Sequence, residues 1–316
     1  MQYKYSGENW LNGDKAFAFE GLFDYIQQTK KRLSQPLAIP EYATAQEAER
    51  IKKISEKIQA DPYFRREAYA EMAKNMGYSS LRTVVYGEYP ALYEVCIFAS
   101  RKLTGVNPVI YLYTSQNPGS AYNAAASDYM DRVWIYISDQ LVKERGMMKD
   151  EELCFLVGHE LGHAQCHHIT IASSGKDSSD DEYSADRAGM LACTKWIMEK
   201  KPDMDAPDAI KEALLYSVSA LHKIRIGMTN GLNNTYWEKY SYDDVRSLID
   251  GVFKGASRLA LTKTSHPLPS HRIMAMVNFS ESELMYRCLG LDPEKYQHLT
   301  TDVQLSRAMS HLLKDN

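Results

Sequence analysis

Hydrophobic positions along the chain recur at two periods, and the change of period marks the change of element. Leu22, Ile26, Thr29 and Leu33 fall at helical spacing, and Pro36 and Pro40 break that run. A second helix starts at Thr44, with Glu47 three residues on as its capping-box partner, and carries Ala48, Ile51, Ile54 and Ile58 along one face. Asp61 and Pro62 supply an N-cap and a first-turn proline for a third helix, with Gly77 as its stop. Strand-like runs are confined to the middle, at Val109 to Tyr113 and Val133 to Ile137, with the turn-rich segment Gln116 to Asn123 between them. From Asp150 the helical period returns, over Glu151 to His168, about Asp181 to Lys200, and Ile210 to Ile226 with a stop at Gly227. Ser173 to Asp180, small and polar, reads as a loop. The pattern predicts an α+β fold, mainly helical, with an amino-terminal helical segment over 1–80 packed on a larger unit over 81–280 and a carboxy-terminal helical segment over 281–316.

Composition narrows the class. Of 316 residues, 44% are hydrophobic and 25% charged, which is enough apolar surface to fold a globular chain and rules out a disordered one. The 37 basic and 41 acidic residues are interspersed and leave a net charge of -4, so no nucleic-acid partner is expected. Five cysteines, Cys96, Cys154, Cys166, Cys193 and Cys288, are odd in number and form no CxxC pair, as expected of reduced core thiols. Met1 to Lys15 holds no apolar leader, which with the thiols points to the cytoplasm, or to the periplasm if the numbering starts after processing. The most apolar stretch, Leu153 to Leu161, already contains His159 and Glu160, so a soluble chain with no membrane span is expected.

That stretch runs into Gly158-His159-Glu160-Leu161-Gly162-His163, an HExxH sequence. Histidines at i and i+4 lie on one helical face about 6 Å apart along the axis, close enough to share one metal ion. Glu160 projects about 100° from His159, beside the ion rather than on it. Leu153 to Val157 make the preceding turns apolar all round, so the helix is predicted to be buried, where unpaired His and Glu are costly. Gly158 and Gly162 each cost about 1 kcal/mol against Ala in a helix, which predicts close packing of another element there. Ile169 and Cys166 occupy the positions where a metzincin needs His and Gly. His167 is too far along a straight helix to be a third ligand, and it and His168 are read as supporting histidines. Downstream, Glu182 and Asp186 share a face with Gly189, Met190, Cys193 and Ile197. Glu182 is then the candidate third ligand and Asp186 the group that orients a ligand His, although two acids also suit the positive end of a helix.

These residues resemble the HtpX and CAAX prenyl protease family of gluzincin metallopeptidases. The family pattern is met at His159, Glu160 and His163, at Glu182 within Glu-Tyr-Ser-Ala-Asp, at Ser265 to Ile273, and at Asn123-Ala124 followed by Val133 to Ser138. The chain departs from it at Ala125, where an aromatic is usual, and at Tyr129-Met130-Asp131, where a glycine-containing turn is usual. The resemblance implies a zincin-like fold, with a small antiparallel sheet beside a central HExxH helix, and a metallopeptidase domain over 81–280. It further implies one Zn²⁺ per chain on His159, His163 and Glu182, with Glu160 as general base and His266 and Arg272 as candidates to stabilise the oxyanion. His266 could instead occupy the open metal position as a gate. An extended polypeptide substrate would add to the strand at Asn123, Ala124 and Ala125, or to its partner from Val133. The expected activity is a zinc endopeptidase acting on soluble or unfolded polypeptides. A non-catalytic polypeptide-binding protein and a zinc aminopeptidase are the alternatives.

Overall fold

A computed structural model describes residues 36–61, 78–84, 87–115, 124–127, 133–143, 148–168, 180–230 and 269–296. The helices expected over Leu22 to Leu33 and Pro62 to Gly77, the polar loop over 173–179, Asn123 and His266 lie outside the described residues. Helix α1 (Ala45–Ala60) starts at the expected capping box: the Glu47 N–H donates to Thr44 Oγ1 at 3.3 Å and the Thr44 N–H to Glu47 Oε2 at 2.7 Å. Its Ile51, Ile54 and Ile58 are buried, as their common face requires.

Four strands, β1 (Tyr78–Thr83), β2 (Val109–Ser115), β3 (Ala124–Ser127) and β4 (Trp134–Ser138), form one sheet in the order β1-β2-β4-β3. The outer pairs are antiparallel, but β2 and β4 are parallel, from Val109 opposite Trp134 to Tyr113 opposite Ser138. The sheet is therefore mixed, not antiparallel as the sequence suggested. A tight hairpin would force antiparallel pairing, whereas the chain between Ser115 and Trp134 is long enough to cross over, and it leaves β3 on the far side of β4 as the edge among the described residues. Strand β1 spans the expected boundary at 80, so the sheet draws on both sides of it.

Between β1 and β2 lies α2 (Pro90–Thr104), which ends at Gly105 in the left-handed conformation, φ 76°. The remaining helices are α3 (Asp139–Lys143), α4 (Asp150–Gln165), α5 (Asp180–Lys200), α6 (Ala206–Asn230), α7 (Pro269–Ser280), α8 (Glu283–Cys288) and α9 (Pro293–Tyr296). Helix α6 continues through Gly227, since one glycine costs a helix only about 1 kcal/mol, too little to end it. No helix among the described residues is long and apolar enough to cross a membrane.

Helix α4 is the wall between two cores. Cys154, Leu156, Val157, Leu161 and Ala164 pack with α2 and the sheet, while Phe155 joins α1, α5, α6 and α7 on the other side. The two-sided burial follows from the apolar residues that surround this helix in sequence. Its glycines meet α5 at close range: a Cβ on Gly158 would lie 2.7 Å from Ala192 Cβ, and one on Gly162 2.7 Å from Ala188 Cβ and 2.8 Å from Ala185 Cα. The predicted close packing at both glycines is thus present, and it brings α5 against the HExxH face.

Candidate metal centre

Helix α4 is fixed at its start before it delivers any histidine. The Lys149 N–H donates to Glu152 Oε2 at 2.8 Å, and the same buried carboxylate receives Lys223 Nζ and Ser219 Oγ of α6, each at 2.5 Å. Two turns later, His159 and His163 place their Nε2 atoms 3.1 Å apart. From α5, Glu182 Oε2 lies 3.6 Å from His159 Nε2 and Glu182 Oε1 lies 3.6 Å from His163 Nε2. Ligand atoms about 2.0–2.1 Å from a tetrahedral ion sit roughly 3.3 Å from one another. The three side chains, with donor atoms within 4.8 Å of each other, form a group that could hold a metal ion.

Hydrogen bonds behind the rings set which nitrogens are free. Asp186 Oδ1 lies 3.0 Å from His159 Nδ1, and Asp186 is fully buried beside Arg272, whose Nε and Nη2 donate to it at 2.8 and 2.6 Å. The Arg272 guanidinium outweighs the effect of burial and holds the Asp186 carboxyl below its ordinary range, so it is ionised and accepts. His159 Nδ1 therefore carries the proton, and its Nε2 faces Glu182 and His163. Arg272 Nη1 also lies 3.1 Å from Glu182 Oε2. All three guanidinium nitrogens thus face Asp186 or Glu182, which puts Arg272 in the role of holding the two carboxylates.

Two imidazole nitrogens 3.1 Å apart need a proton on one of them or a metal ion between them. Burial works against a charge on His159, but the Asp186 hydrogen bond and the two carboxylates outweigh it and raise its pKa above 6.5. Burial and the neighbouring His159 pull His163 down to about 3. His159 therefore holds a proton more readily than His163 does, and a bound ion would displace it.

Glu160 is half-buried, outside the donor trio and beside it in sequence, as the helical geometry requires. Its charge reaches two neighbours, adding to the raised pKa of Arg272 and of the buried Tyr113 on β2. Ala124 and Ala125 lie on β3, opposite Ile137 and Tyr136, and β3 packs along α4. The structure therefore gathers His159, His163, Glu182, Asp186 and Arg272 around one point, with Glu160 close enough for its charge to act on Arg272 and with β3 alongside α4.

One partner was read from sequence only as a supporting histidine, without its contact. His168 Nδ1 lies 2.8 Å from His163 Nδ1, and His168 Nε2 lies 3.1 Å from Ser184 Oγ on α5. The only sequence signal was a histidine just past the end of an HExxH helix. Comparison with models of known protein families, with curated proteins and with solved structures finds no match.

Proposed function

We propose that the chain is a zinc-dependent endopeptidase of zincin-like fold, acting on soluble or unfolded polypeptides. The observation that carries this reading is the trio of buried His159 and Glu182 with half-buried His163, whose donor separations suit a tetrahedral ion, with Glu160 next to His159 in sequence. Two neutral imidazoles and one carboxylate, with a position left for water, are the donor set of catalytic rather than structural zinc. Zinc bound there supplies a Lewis acid that acidifies water and polarises the scissile carbonyl.

The protein groups divide the remaining work. Glu160 takes the proton of the attacking water and passes it to the leaving amine. Asp186 fixes the His159 ring through Nδ1, and Arg272 keeps Asp186 ionised and holds both carboxylates in place. Strand β3, the edge of the sheet among the described residues, lies along α4 and offers an extended peptide a backbone partner with little demand on its side chains.

Glu160→Gln tests the reading. The amide keeps the shape but cannot take the proton, so the variant should bind zinc as wild type does and cleave an internally quenched peptide at least about 10²-fold more slowly. Cleavage near the wild-type rate removes Glu160 from the chemistry. Faster turnover of an amino-acid anilide than of the quenched peptide assigns an aminopeptidase instead.

A further inference from the structure

We propose that His168 is a positioning residue for the metal site, an imidazole that accepts the Nδ1 proton of His163 and so keeps the His163 Nε2 lone pair aimed at the ion. The proposal rests on the metal-binding reading of the trio and adds to it the group that sets the second histidine.

The backbone is built to bring this ring home. His163 and His168 are five residues apart, so on a continuing helix they would point to faces about 140° apart. Helix α4 ends at Gln165 instead, and His167 takes φ 56°, in the left-handed region. A non-glycine residue there costs about 1–2 kcal/mol. The turn it makes folds His168 back under His163, with ring centroids 4.9 Å apart and the planes near perpendicular, at 76°. Both His167 and His168 are buried. A strained conformation that delivers one side chain to a ligand is an observed outlier with a function attached to it.

The direction of the hydrogen bonds follows from their far end. Ser184 Oγ donates to the Asp181 carbonyl, a pure acceptor, at 3.1 Å. Having one proton, the hydroxyl then accepts from His168 Nε2–H, which leaves His168 Nδ1 with a lone pair 2.8 Å from His163 Nδ1. His163 Nδ1 must therefore be the donor, and its Nε2 is the lone pair that faces His159 and Glu182. The opposite order would put an N–H of His163 into the space an ion needs. The two ligand histidines are thus held differently, His159 by an anionic carboxylate and His163 by a neutral imidazole at the head of a chain that ends on the backbone of α5.

Three full-length chains test this: wild type, His168→Asn and His168→Leu. Asn returns an acceptor close to the position of the imidazole Nδ1, whereas Leu fills the space without one. Zinc affinity, read by competition with a chromogenic chelator, should fall about 10–100-fold in His168→Leu and return to within about threefold of wild type in His168→Asn. In metal-free wild type, nitrogen-15 histidine spectra should show His163 protonated at Nδ1. Equal zinc affinity in all three chains overturns the proposal, and so does an Nε2–H tautomer for His163. If His168→Leu does not fold, the His168→Asn affinity and the wild-type tautomer still decide the matter. Wild type that binds no zinc refutes the endopeptidase reading, and the tautomer then judges His168 by itself.

Discussion

Replacing Gly162 by Ala should damage the metal site through the packing of two helices, without touching a ligand. An added Cβ would meet Ala188 Cβ at 2.7 Å and Ala185 Cα at 2.8 Å, about 0.7 and 0.6 Å short of the 3.4 Å at which ordinary contact begins. Both neighbours belong to the helix that carries Glu182 and Asp186, and one of the atoms is backbone, so no side-chain rotation relieves the clash. The helices must separate, and His163 is the next residue on the displaced side. The His163 to Glu182 gap, 3.6 Å in the native arrangement, then widens by several tenths of an ångström, beyond the ±0.2 Å that metal bond lengths tolerate. Overpacking costs about 1–3 kcal/mol, partly offset by the gain of about 1 kcal/mol that Ala brings to a helix. The expected result is a modest fall in thermal stability of the metal-free chain with zinc affinity down at least about tenfold by chelator competition. Gly105→Ala is the control: φ is 76° and nothing lies within 4 Å of its Cβ, so it should lose about 1 kcal/mol of stability with zinc affinity intact. Wild-type zinc affinity in Gly162→Ala would refute the argument that this close approach sets the ligand geometry.

Two further outcomes follow from charges in the structure. His159 has its pKa raised above 6.5 and His163 has its pKa lowered to about 3, so one proton competes with the ion across the mildly acid range. Apparent zinc affinity should fall about tenfold per pH unit as pH drops below the raised His159 pKa and flatten above it, and a slope near two in potentiometric titration would contradict this assignment. In the metal-free chain the sign reverses: the raised His159 stabilises the fold below about pH 6.5, and that increment is lost as pH rises through its folded value. Lys223→Met should cost about 3–5 kcal/mol in denaturant unfolding, because it strands the buried Glu152, and Glu152→Gln added to it should recover much of the loss; no recovery would show that the pair is not coupled.

What the sequence disclosed and what it withheld follow from how local each determinant is. The α1 capping box, the burial of α4 on all sides and the close packing at Gly158 and Gly162 are written in residues a few positions apart, and all three are present. Helix α2 carried readable marks in Pro90 at its first turn and Gly105 just past its end, yet it was not identified, because Tyr89 supplies no side-chain cap and the run that follows is rich in β-branched and aromatic residues. The parallel pairing of β2 with β4 depends on where β3 is placed, a tertiary matter that alternation cannot encode. His168 was hardest to read. Its position depends on a left-handed turn at His167, a conformation that only a small share of histidines adopt.

The sequence distances across the site bear on when the ion can bind. His159 and Asp186 are 27 residues apart, Asp186 and Arg272 are 86 apart, and Arg187, between the carboxylates and the glycine seam, grips Glu47 of α1 across 140 residues. Each such contact waits on the closure of a long loop, so a nascent chain that has just emitted α4 owns two histidines and no cage. On the zinc reading proposed above, affinity is therefore confined to the finished fold. An ion present at about a thousand times its dissociation constant adds about 4 kcal/mol to the native state and nothing to the unfolded one. If the site holds zinc as proposed, a cell short of the ion would hold less of the folded protein, and the supply of the ion would govern how much of the chain escapes degradation.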